Sequence, residues 1–471
     1  MAKHQLLALC KVATLDKRNL LSKRYGRISR LYFCLLKTSG QKMNEYNLLK
    51  LKSDLGKMYV FDALTNDIFS IENDEDFNSV CMADFGHDTD LRLHPLEFSE
   101  IQKEVSTNAK TLILEITEEC NLRCTYCVFD EKHIFERNHS NKTMFLELAF
   151  EEVKNFYNRT NQEEGYIVFY GGEPLLAFDM IKQIVDYANQ ISNHRLKFSL
   201  TTNGLALAEN KFDFLIENNF LLTVSLDGDK ETHDKQRVTV TGKGTFDAIT
   251  NNLKKLKNYN AQFLKNNVLI NCVISDANDL SKINQFFKDN DFAEESLRFS
   301  PVLQNNVAID GYITNSISLE SVKQSLKAGL LPVENHFLDS ILKKIEFRKL
   351  DDEARLGKKL CVPFANRTYV RTDGSIQFCE RIENYGKSKN ESVNLAAKSE
   401  TIYSEFKTFK KETCSKCFAY NFCEMCPASF IKNSQFDNEL ANAKCGQYRQ
   451  TVKQAFQIYI NKMERDEVEQ C

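Results

Sequence analysis

The sequence predicts an α/β protein: a partial (β/α)6 barrel, TIM-like in its βα repeats, with an α+β domain before it and a cysteine-rich domain after it. Between Thr111 and about Leu303, short apolar runs rich in β-branched residues alternate with amphipathic stretches. About 105 residues precede this alternation, and seven of the 15 cysteines lie after it between Cys361 and Cys445. The predicted units are residues 1–105, 106–314, 315–355 (a charged helical bridge) and 356–471.

Composition excludes several classes of protein. The 471 residues are 42% hydrophobic and 27% charged, with 17 Gly and 6 Pro, which rules out long disordered or collagen-like character. The formal net charge of −3 lacks the basic surplus that nucleic acid or an anionic membrane would attract. No apolar run approaches the roughly 18 residues of a membrane span, and the apolar patch at the start ends at Lys11 without a secretory core. We therefore expect a cytoplasmic protein with no nucleic-acid and no membrane partner.

The barrel is predicted from six strands that alternate with helices. This order favours a parallel sheet, and the active sites of such barrels lie in the loops after the strands. Polar and glycine motifs should therefore follow the strands directly, and they do. The predicted strands are Thr111–Thr117, Tyr166–Tyr170, Lys197–Thr201, Leu221–Leu226, Asn267–Ile274 and Leu297–Val302, and the predicted helices are Met144–Tyr157, Met180–Gln190, Lys211–Asn219, Thr245–Leu256 and Asp279–Lys288.

The block before the barrel contains a predicted β-hairpin, Met58–Ile71, which turns at Thr65–Asp67. Six basic residues also lie between Lys17 and Arg30. They form either a solvated helix face or a dock for an acidic peptide.

Three cysteines, Cys120, Cys124 and Cys127, directly follow the first predicted strand of the barrel. Disulfides are rare in a reduced compartment, so clustered thiols indicate metal or redox chemistry. Four thiolates close a tetrahedral zinc site or ligate a [4Fe–4S] cluster completely, whereas three suit a cluster with one open iron. The alternative is a zinc knuckle whose fourth ligand is His133 or His139.

The spacing Cys120-x3-Cys124-x2-Cys127, with Tyr126 before the last cysteine, resembles the signature of the radical S-adenosylmethionine (radical SAM) superfamily. The resemblance implies a radical SAM barrel and a [4Fe–4S] cluster whose open iron binds SAM. Reductive cleavage of SAM then releases a 5′-deoxyadenosyl radical, which abstracts a hydrogen atom from the substrate. The implied reductant is a low-potential electron donor such as flavodoxin or ferredoxin.

Motifs after the following strands are similar to the SAM-binding motifs of this superfamily. Glycines allow close backbone approach to a ligand, and Glu173 supplies a carboxylate that the resemblance assigns to the amino group of SAM. The resemblance pairs Arg237 with the SAM carboxylate, and the alternative is a surface arginine. The residues implied to bind SAM are Gly171, Gly172, Glu173, Pro174, Thr202, Asn203, Ser225, Asp227 and Arg237.

The C-terminal cysteines have intervals that resemble the SPASM extension of radical SAM peptide-modifying enzymes, which binds two auxiliary [4Fe–4S] clusters. The interval between Cys423 and Cys426 is two residues, where the family has three. The alternative is a pair of zinc-ribbon-like sites, because CxxC pairs are generic. By resemblance, Cys414, Cys417, Cys423 and Cys445 bind the outer cluster, and Cys361, Cys379 and Cys426 bind the inner one.

SPASM enzymes mostly act on ribosomally made peptides or proteins, so the resemblance implies a precursor-peptide substrate. Thioether (Cys sulfur to carbon) cross-linking ranks first, other cross-links or epimerisation second, and formylglycine formation by an anaerobic sulfatase-maturating enzyme third. In those maturases an aspartate base follows the cysteine of Gly-x4-Cys; here the residue is Glu380, which could instead pair with Arg381. Peptide maturases commonly carry a winged-helix-like leader-recognition domain, with which residues 1–105 are compatible. The alternative from another class is a non-catalytic iron–sulfur or zinc-binding protein, which would not cleave SAM.

Overall fold

A computed structural model of the chain shows one central sheet covered by helices on its outer face. The structure describes these parts of the chain: residues 48–63, 66–81, 97–127, 139–161, 164–275, 279–290, 296–301, 303–304, 307–308, 341–346, 361–380, 394–414, 417–423, 425, 427–432 and 435–469.

Six parallel strands form the centre of the sheet, which confirms the predicted α/β class and the partial barrel. Each strand pairs with the next along the chain. The observed bounds differ from the predicted ones by at most one residue at either end. Among the described residues the sheet does not close on itself, because its two edge strands have one neighbour each. The strands are β4 (Thr111–Thr117), β5 (Gly165–Gly171), β6 (Leu196–Thr202), β7 (Leu221–Ser225), β8 (Val268–Ile274) and β9 (Leu297–Pro301).

Helices between these strands bury one apolar face against the sheet. Ala149, Val153 and Phe156, at helical spacing in the first of them, are fully buried. They share a hydrophobic core with Leu112 and Leu114 of β4. Residues that alternate with this core set along each strand therefore face the interior of the barrel. The helices around the sheet are α3 (Leu146–Arg159), α4 (Phe178–Ser192), α5 (Phe212–Glu217), α6 (Lys230–Gln236), α7 (Phe246–Tyr259), α8 (Ala261–Asn267) and α9 (Leu280–Asp289), with α1 (Asp74–Cys81) and α2 (Phe98–Thr107) before β4.

Two short strands from the cysteine-rich segment extend the central sheet, which the sequence did not predict. β12 (Thr368–Val370) pairs parallel to β4, and β13 (Ile376–Gln377) pairs antiparallel to β12. The turn between them lies at the carboxyl edge of the sheet. There Thr372 donates a hydrogen bond of 2.7 Å from Oγ1 to Glu118 Oε1, two residues before the first clustered cysteine. The C-terminal segment thus supports the cysteine loop directly.

The predicted hairpin before the barrel is present as β2 (Met58–Asp62) and β3 (Asp67–Ile71), with Met58 paired to Ile71. A further strand, β1 (Leu48–Lys52), pairs antiparallel to β2. The residues of the basic stretch from 17 to 30 lie outside the described residues, as does part of the hairpin turn. The role of residues 1–105 in binding a leader peptide stays a prediction.

This three-stranded sheet packs against the C-terminal helix. Phe61 contacts Phe456 and Phe422 with ring centroids 4.4 and 5.6 Å apart. Tyr59 donates a hydrogen bond of 2.8 Å to Glu464. The two ends of the described chain therefore share one core.

The remaining elements are short, apart from two helices of the cysteine-rich segment. Of the predicted bridge at 315–355, the structure describes residues 341–346, which are helical. In the described part of the chain, no helix combines the length and apolar content that a membrane span needs. These elements are β10 (Leu303–Gln304), β11 (Val307–Ala308), α10 (Leu395–Thr413), β14 (Ile431–Lys432), β15 (Gln435–Phe436) and α11 (Asn438–Glu469).

Candidate active site

The loop that carries the first three cysteines is held by the glycines after β5. The Gly172 N–H donates to Thr117 O and the Glu173 N–H to Glu119 O, both at 2.8 Å. A Cβ atom on Gly171 or Gly172 would lie 2.1 Å from a carbonyl oxygen of Thr117 or Glu119, far inside contact distance. Gly171 also has φ of 136°, which disfavours any other residue. The glycines were predicted to approach a ligand; their close contacts in this structure are with the backbone that leads into the cysteine loop.

Cys120, Cys124 and Cys127 lie half-buried in this loop. Burial raises the pKa of the Cys120 thiol to about 12, and the neighbouring Cys124 and Cys127 raise it further. Thiols in such surroundings stay protonated unless a metal takes the proton's place, and a metal or cluster ligand must be a thiolate. The prediction that these three residues bind a cluster is compatible with this donor set.

Two N–H donors point at the sulfurs of this cluster of cysteines. Asn203 Nδ2 lies 3.9 Å from Cys120 Sγ, and Arg237 Nη1 lies 3.9 Å from Cys124 Sγ. Arg237 also opposes, by its charge, the rise that burial causes in the pKa of Cys124. Hydrogen bonds to cluster sulfurs raise the reduction potential of iron–sulfur sites, so these residues fit a bound cluster.

Glu173 is completely buried and joins two of the predicted SAM-binding loops. Its carboxylate accepts from Leu175 N at 3.0 Å, Thr202 Oγ1 at 2.7 Å and Asn203 N at 2.7 Å. Burial raises the pKa of Glu173, and these three donors oppose the rise. Pro174 begins the buried turn that follows. Binding of the SAM amino group by Glu173 stays a prediction; in this structure its carboxylate orients Asn203.

Arg237 and Asp227 form a buried ion pair instead of two separate contacts on the rim. Arg237 Nε donates to Asp227 Oδ2 at 2.7 Å. The other oxygen, Oδ1, accepts from Val273 N at 2.8 Å, and the Tyr126 hydroxyl donates to Oδ2. The guanidinium also lies 5.3 Å from the centre of the Tyr126 ring. The alternative of a surface arginine is wrong, because Arg237 is buried and paired.

Ser225 ends β7 at the same edge of the sheet and pairs in register with Asn271 of β8. Asn271 Oδ1 accepts from Ser300 Oγ at 3.1 Å. The predicted SAM-binding residues after β5, β6 and β7 thus lie at one edge, beside the cysteine loop. Their contacts with SAM stay predictions.

His233 belongs to this network, although no role for it was predicted from the sequence. Its Nδ1 accepts from Asp227 N at 3.1 Å, and its Nε2 lies 3.0 Å from Thr245 Oγ1, which donates to Arg237 O. The neutral ring satisfies both contacts, whereas a proton on Nδ1 would face the Asp227 N–H. Burial lowers the pKa of His233 to about 4. The only sequence signal was its position between Asp227 and Arg237.

The lowered pKa of His233 predicts a pH-dependent stability. An unfolded histidine, with pKa near 6.5, takes up a proton that the folded ring refuses. The stability contributed by His233 is therefore complete above about pH 6.5 and is lost as the pH falls towards 4. We expect the free energy of unfolding to fall by about 2 kcal/mol between pH 7 and 5 from this residue.

Chemical denaturation monitored by circular dichroism at several pH values measures this effect. His233→Gln should flatten the profile, whereas His194→Gln, at an exposed position, should leave it unchanged. An unaltered slope in His233→Gln would show that other groups cause the acid sensitivity.

Four C-terminal thiols of the predicted outer cluster gather in space. Burial, together with neighbouring thiols that include Cys417 and Cys423, raises the pKa of Cys414 to about 12 and that of Cys445 to about 11. Of the predicted inner set, Cys379 is buried and Cys361 half-buried, and both lie near Arg367. Cys426 lies outside the described residues. In the described part of the chain, no three His, Cys, Asp or Glu side chains meet closely enough to hold a single ion.

Glu380, the predicted base, is paired with Arg367. Its other oxygen lies 3.5 Å from Cys379 Sγ. The alternative partner Arg381 lies outside the described residues. The catalytic role of Glu380 stays a prediction, while the contacts observed are an ion pair and a thiol.

Comparison with known proteins agrees with this site. Residues 114–278, which contain the cysteine loop and the strands around it, match the family model of the radical SAM superfamily. The barrel is therefore a radical SAM domain, of a superfamily of enzymes that use SAM and a [4Fe–4S] cluster.

Sulfatase-maturating enzymes are among the similar proteins. A cysteine-type anaerobic sulfatase-maturating enzyme of Clostridium perfringens (strain 13 / Type A) is 27% identical over 376 residues, which are 74% of this chain and 97% of that protein. The enzyme of the same description from Clostridium novyi (strain NT) is 34% identical over 195 residues; these are 41% of this chain and half of that relative's length. The solved structure of native anSMEcpe with bound AdoMet and Cp18Cys peptide superposes on this chain with a TM-score of 0.55 and 21% sequence identity. The superposition covers 77% of this chain and 99% of that chain, so the two share a fold.

Proposed function

We propose that this protein is a radical SAM maturase that modifies a side chain of a peptide or protein. The observation that carries the proposal is the cysteine loop at the carboxyl edge of the barrel, with N–H groups of Asn203 and Arg237 directed at its sulfurs. Similarity to the sulfatase-maturating enzyme over 97% of that relative's length supports a peptide or protein substrate.

Within this proposal, Cys120, Cys124 and Cys127 hold a [4Fe–4S] cluster, and the loops after β5, β6 and β7 hold SAM. A cluster held by these cysteines would supply the electron for SAM cleavage, and SAM would supply the radical for hydrogen abstraction from the substrate. The residues of this chain position the cofactors: Glu173 fixes Asn203, and Asp227 fixes Arg237. The proposal requires a low-potential electron donor, such as a flavodoxin or ferredoxin.

The product we propose is a thioether cross-link in a precursor peptide. In the sulfatase-type reaction the residue after the Gly-x4-Cys cysteine acts as base. Here Glu380 is engaged by Arg367 and Cys379, which disfavours that role. A quarter of the chain also lies outside the alignment with the sulfatase-maturating relative. Formylglycine formation is the second candidate, which the same alignment favours.

Mass spectrometry separates the two products. The reconstituted protein is incubated anaerobically with SAM, a reductant and either the Cp18Cys peptide or any short cysteine-rich peptide that a neighbouring gene encodes. A thioether removes two hydrogens and keeps the sulfur, whereas conversion of cysteine to formylglycine removes two hydrogens and also replaces the sulfur with oxygen. Formation of 5′-deoxyadenosine without change to any peptide would contradict the proposed maturase activity.

We also propose that the C-terminal thiols bind auxiliary [4Fe–4S] clusters. Cys445→Ala should then remove the outer cluster, so iron and sulfide should each fall by about four per chain. Cleavage of SAM should persist, because Cys120, Cys124 and Cys127 are unchanged. Iron, sulfide and zinc analysis measures the first effect, and chromatography of 5′-deoxyadenosine the second. Loss of zinc instead of iron would identify the outer site as a zinc ribbon.

A further inference from the structure

Two buried polar side chains on the inner face of the sheet have atoms without a hydrogen-bond partner in the described part of the chain. Gln377 is fully buried, and neither its Oε1 nor its Nε2 contacts a donor or acceptor within the part of the chain that the structure describes. Glu115, in the middle of β4, is also fully buried, and its Oε1 has no partner there. The sites predicted from the sequence include neither Gln377 nor Glu115.

Strand register places these side chains on the same face of the sheet, two strands apart. Gln377 pairs with Tyr369, and Tyr369 with Ile113, so the three share one face. Glu115 lies two residues beyond Ile113 and pairs with Tyr170. The Tyr170 and Tyr369 rings meet edge to face with their centroids 6.5 Å apart. The residues paired with Tyr369 and the residue paired with Tyr170 therefore lie on the same, inner face of the sheet.

The unpartnered atoms of Glu115 and Gln377 limit which chemical groups they can bind. Glu115 Oε2 already accepts from Arg371 Nε at 3.3 Å and lies 3.4 Å from Thr372 N, so Oε1 remains as an acceptor. Gln377 offers one acceptor and an NH2 donor. A buried polar group without a partner costs about 1–3 kcal/mol, so the fold keeps this pair at a loss of stability.

We propose that Gln377 and Glu115 bind an amide group of the peptide substrate inside the barrel. An amide has one C=O and one N–H, which complement the Gln377 NH2 and Oε1, and a further N–H would donate to Glu115 Oε1. The carboxylate disfavours an anionic ligand at this position. The inference rests on the proposed function, since it assumes a peptide substrate.

The position suits a bound peptide. Tyr170 is half-buried, as are Ser199 and Thr201 on the inner face of β6. The inner face is thus partly open at β5 and β6, on the side of β4 away from Gln377. Glu115 also lies three residues before Glu118, whose carboxylate joins the turn between β12 and β13 to the cysteine loop. A substrate amide bound here would lie on the wall that adjoins this loop.

Gln377→Met tests the proposal because it removes the amide and keeps the length of the side chain. Gln377→Leu is the second variant, and Gln183→Met, at an exposed position of α4, is the matched control. Binding of the Cp18Cys peptide to the reconstituted protein with SAM is measured by calorimetry, and Tm is measured without peptide. We expect Kd to rise about tenfold or more in both Gln377 variants. We expect Tm to stay constant or rise by roughly 1–3 °C, because an unpartnered amide is removed.

A fall in Tm with unchanged Kd would overturn the proposal, since Gln377 would then support the fold alone. An altered electron paramagnetic resonance spectrum of the clusters with unchanged Kd would also overturn it, because the amide would then serve a cluster. If the wild-type protein cleaves SAM but does not bind the peptide, the proposed peptide substrate fails. The Tm measurement then decides the role of Gln377 by itself: a rise supports a group kept for a ligand, and a fall overturns it.

Discussion

Replacement of Cys124 by alanine is expected to abolish reductive cleavage of SAM. Three thiolates leave one iron of a [4Fe–4S] cluster open for SAM, and loss of one thiolate removes the ligand that Arg237 approaches at 3.9 Å. We expect 5′-deoxyadenosine formation to fall about a thousandfold or more, because the uncatalysed reduction of SAM supplies no alternative route. Anaerobic assay with dithionite as the reductant and chromatography of the products measures this rate.

Cys272→Ala is the matched control for this experiment. Cys272 is fully buried among the apolar residues of the core, on β8, and burial raises the pKa of its thiol far above the ordinary value. It behaves as a small hydrophobic residue, as predicted for the isolated cysteines. This variant should retain SAM cleavage and iron content. Equal loss of cleavage in both variants would trace the effect to folding, and cleavage retained by Cys124→Ala would contradict the assigned ligand.

Gly172→Ala is expected to destabilise the protein strongly. Its Cβ would lie 2.1 Å from the Glu119 carbonyl oxygen, and that atom belongs to backbone that cannot rotate away. The cysteine loop must then move, and the 2.8 Å hydrogen bonds that join it to residues 172 and 173 are strained or lost. We expect a loss of about 3 kcal/mol or more in the free energy of unfolding, together with loss of the first cluster.

Gly446→Ala provides the contrast. Gly446 lies in α11, where the nearest atom to an added Cβ is 4.0 Å away at the end of the Arg449 side chain. Alanine in an open helical position stabilises by up to about 1 kcal/mol. Chemical denaturation of both variants, with iron analysis, measures the difference. A Gly172→Ala protein with normal stability and iron content would show that the loop does not depend on this close approach.

Regular alternation made the barrel predictable from sequence. The apolar runs of β4 to β9 are short, are buried on the outer face and are separated by amphipathic helices, so each signal is local. The added strands β12 and β13 were not predicted because they contain only three and two residues. β12 also pairs with β4 across more than 240 positions of the chain, and β13 pairs with β12. Such pairings leave no periodic pattern in the sequence.

The cysteines of the site were predictable because their spacing is itself the signal. The hydrogen-bond network behind the cysteines was harder to predict. Arg237 was placed at the rim as a carboxylate ligand, yet its partner in the structure is Asp227, ten residues earlier, and His233 completes the same network. Glu115 was overlooked within an apolar strand, although a charged residue at an inward position of a buried strand indicates a special environment.

Iron, sulfide and zinc content of the anaerobically reconstituted protein tests the central claim most directly. One radical SAM cluster and two auxiliary clusters predict roughly twelve irons and twelve sulfides per chain, with little zinc. About four irons with one or two zincs would contradict the auxiliary clusters and the thioether chemistry that depends on them. A protein that holds zinc alone, with no iron, would contradict the radical SAM assignment of Cys120, Cys124 and Cys127.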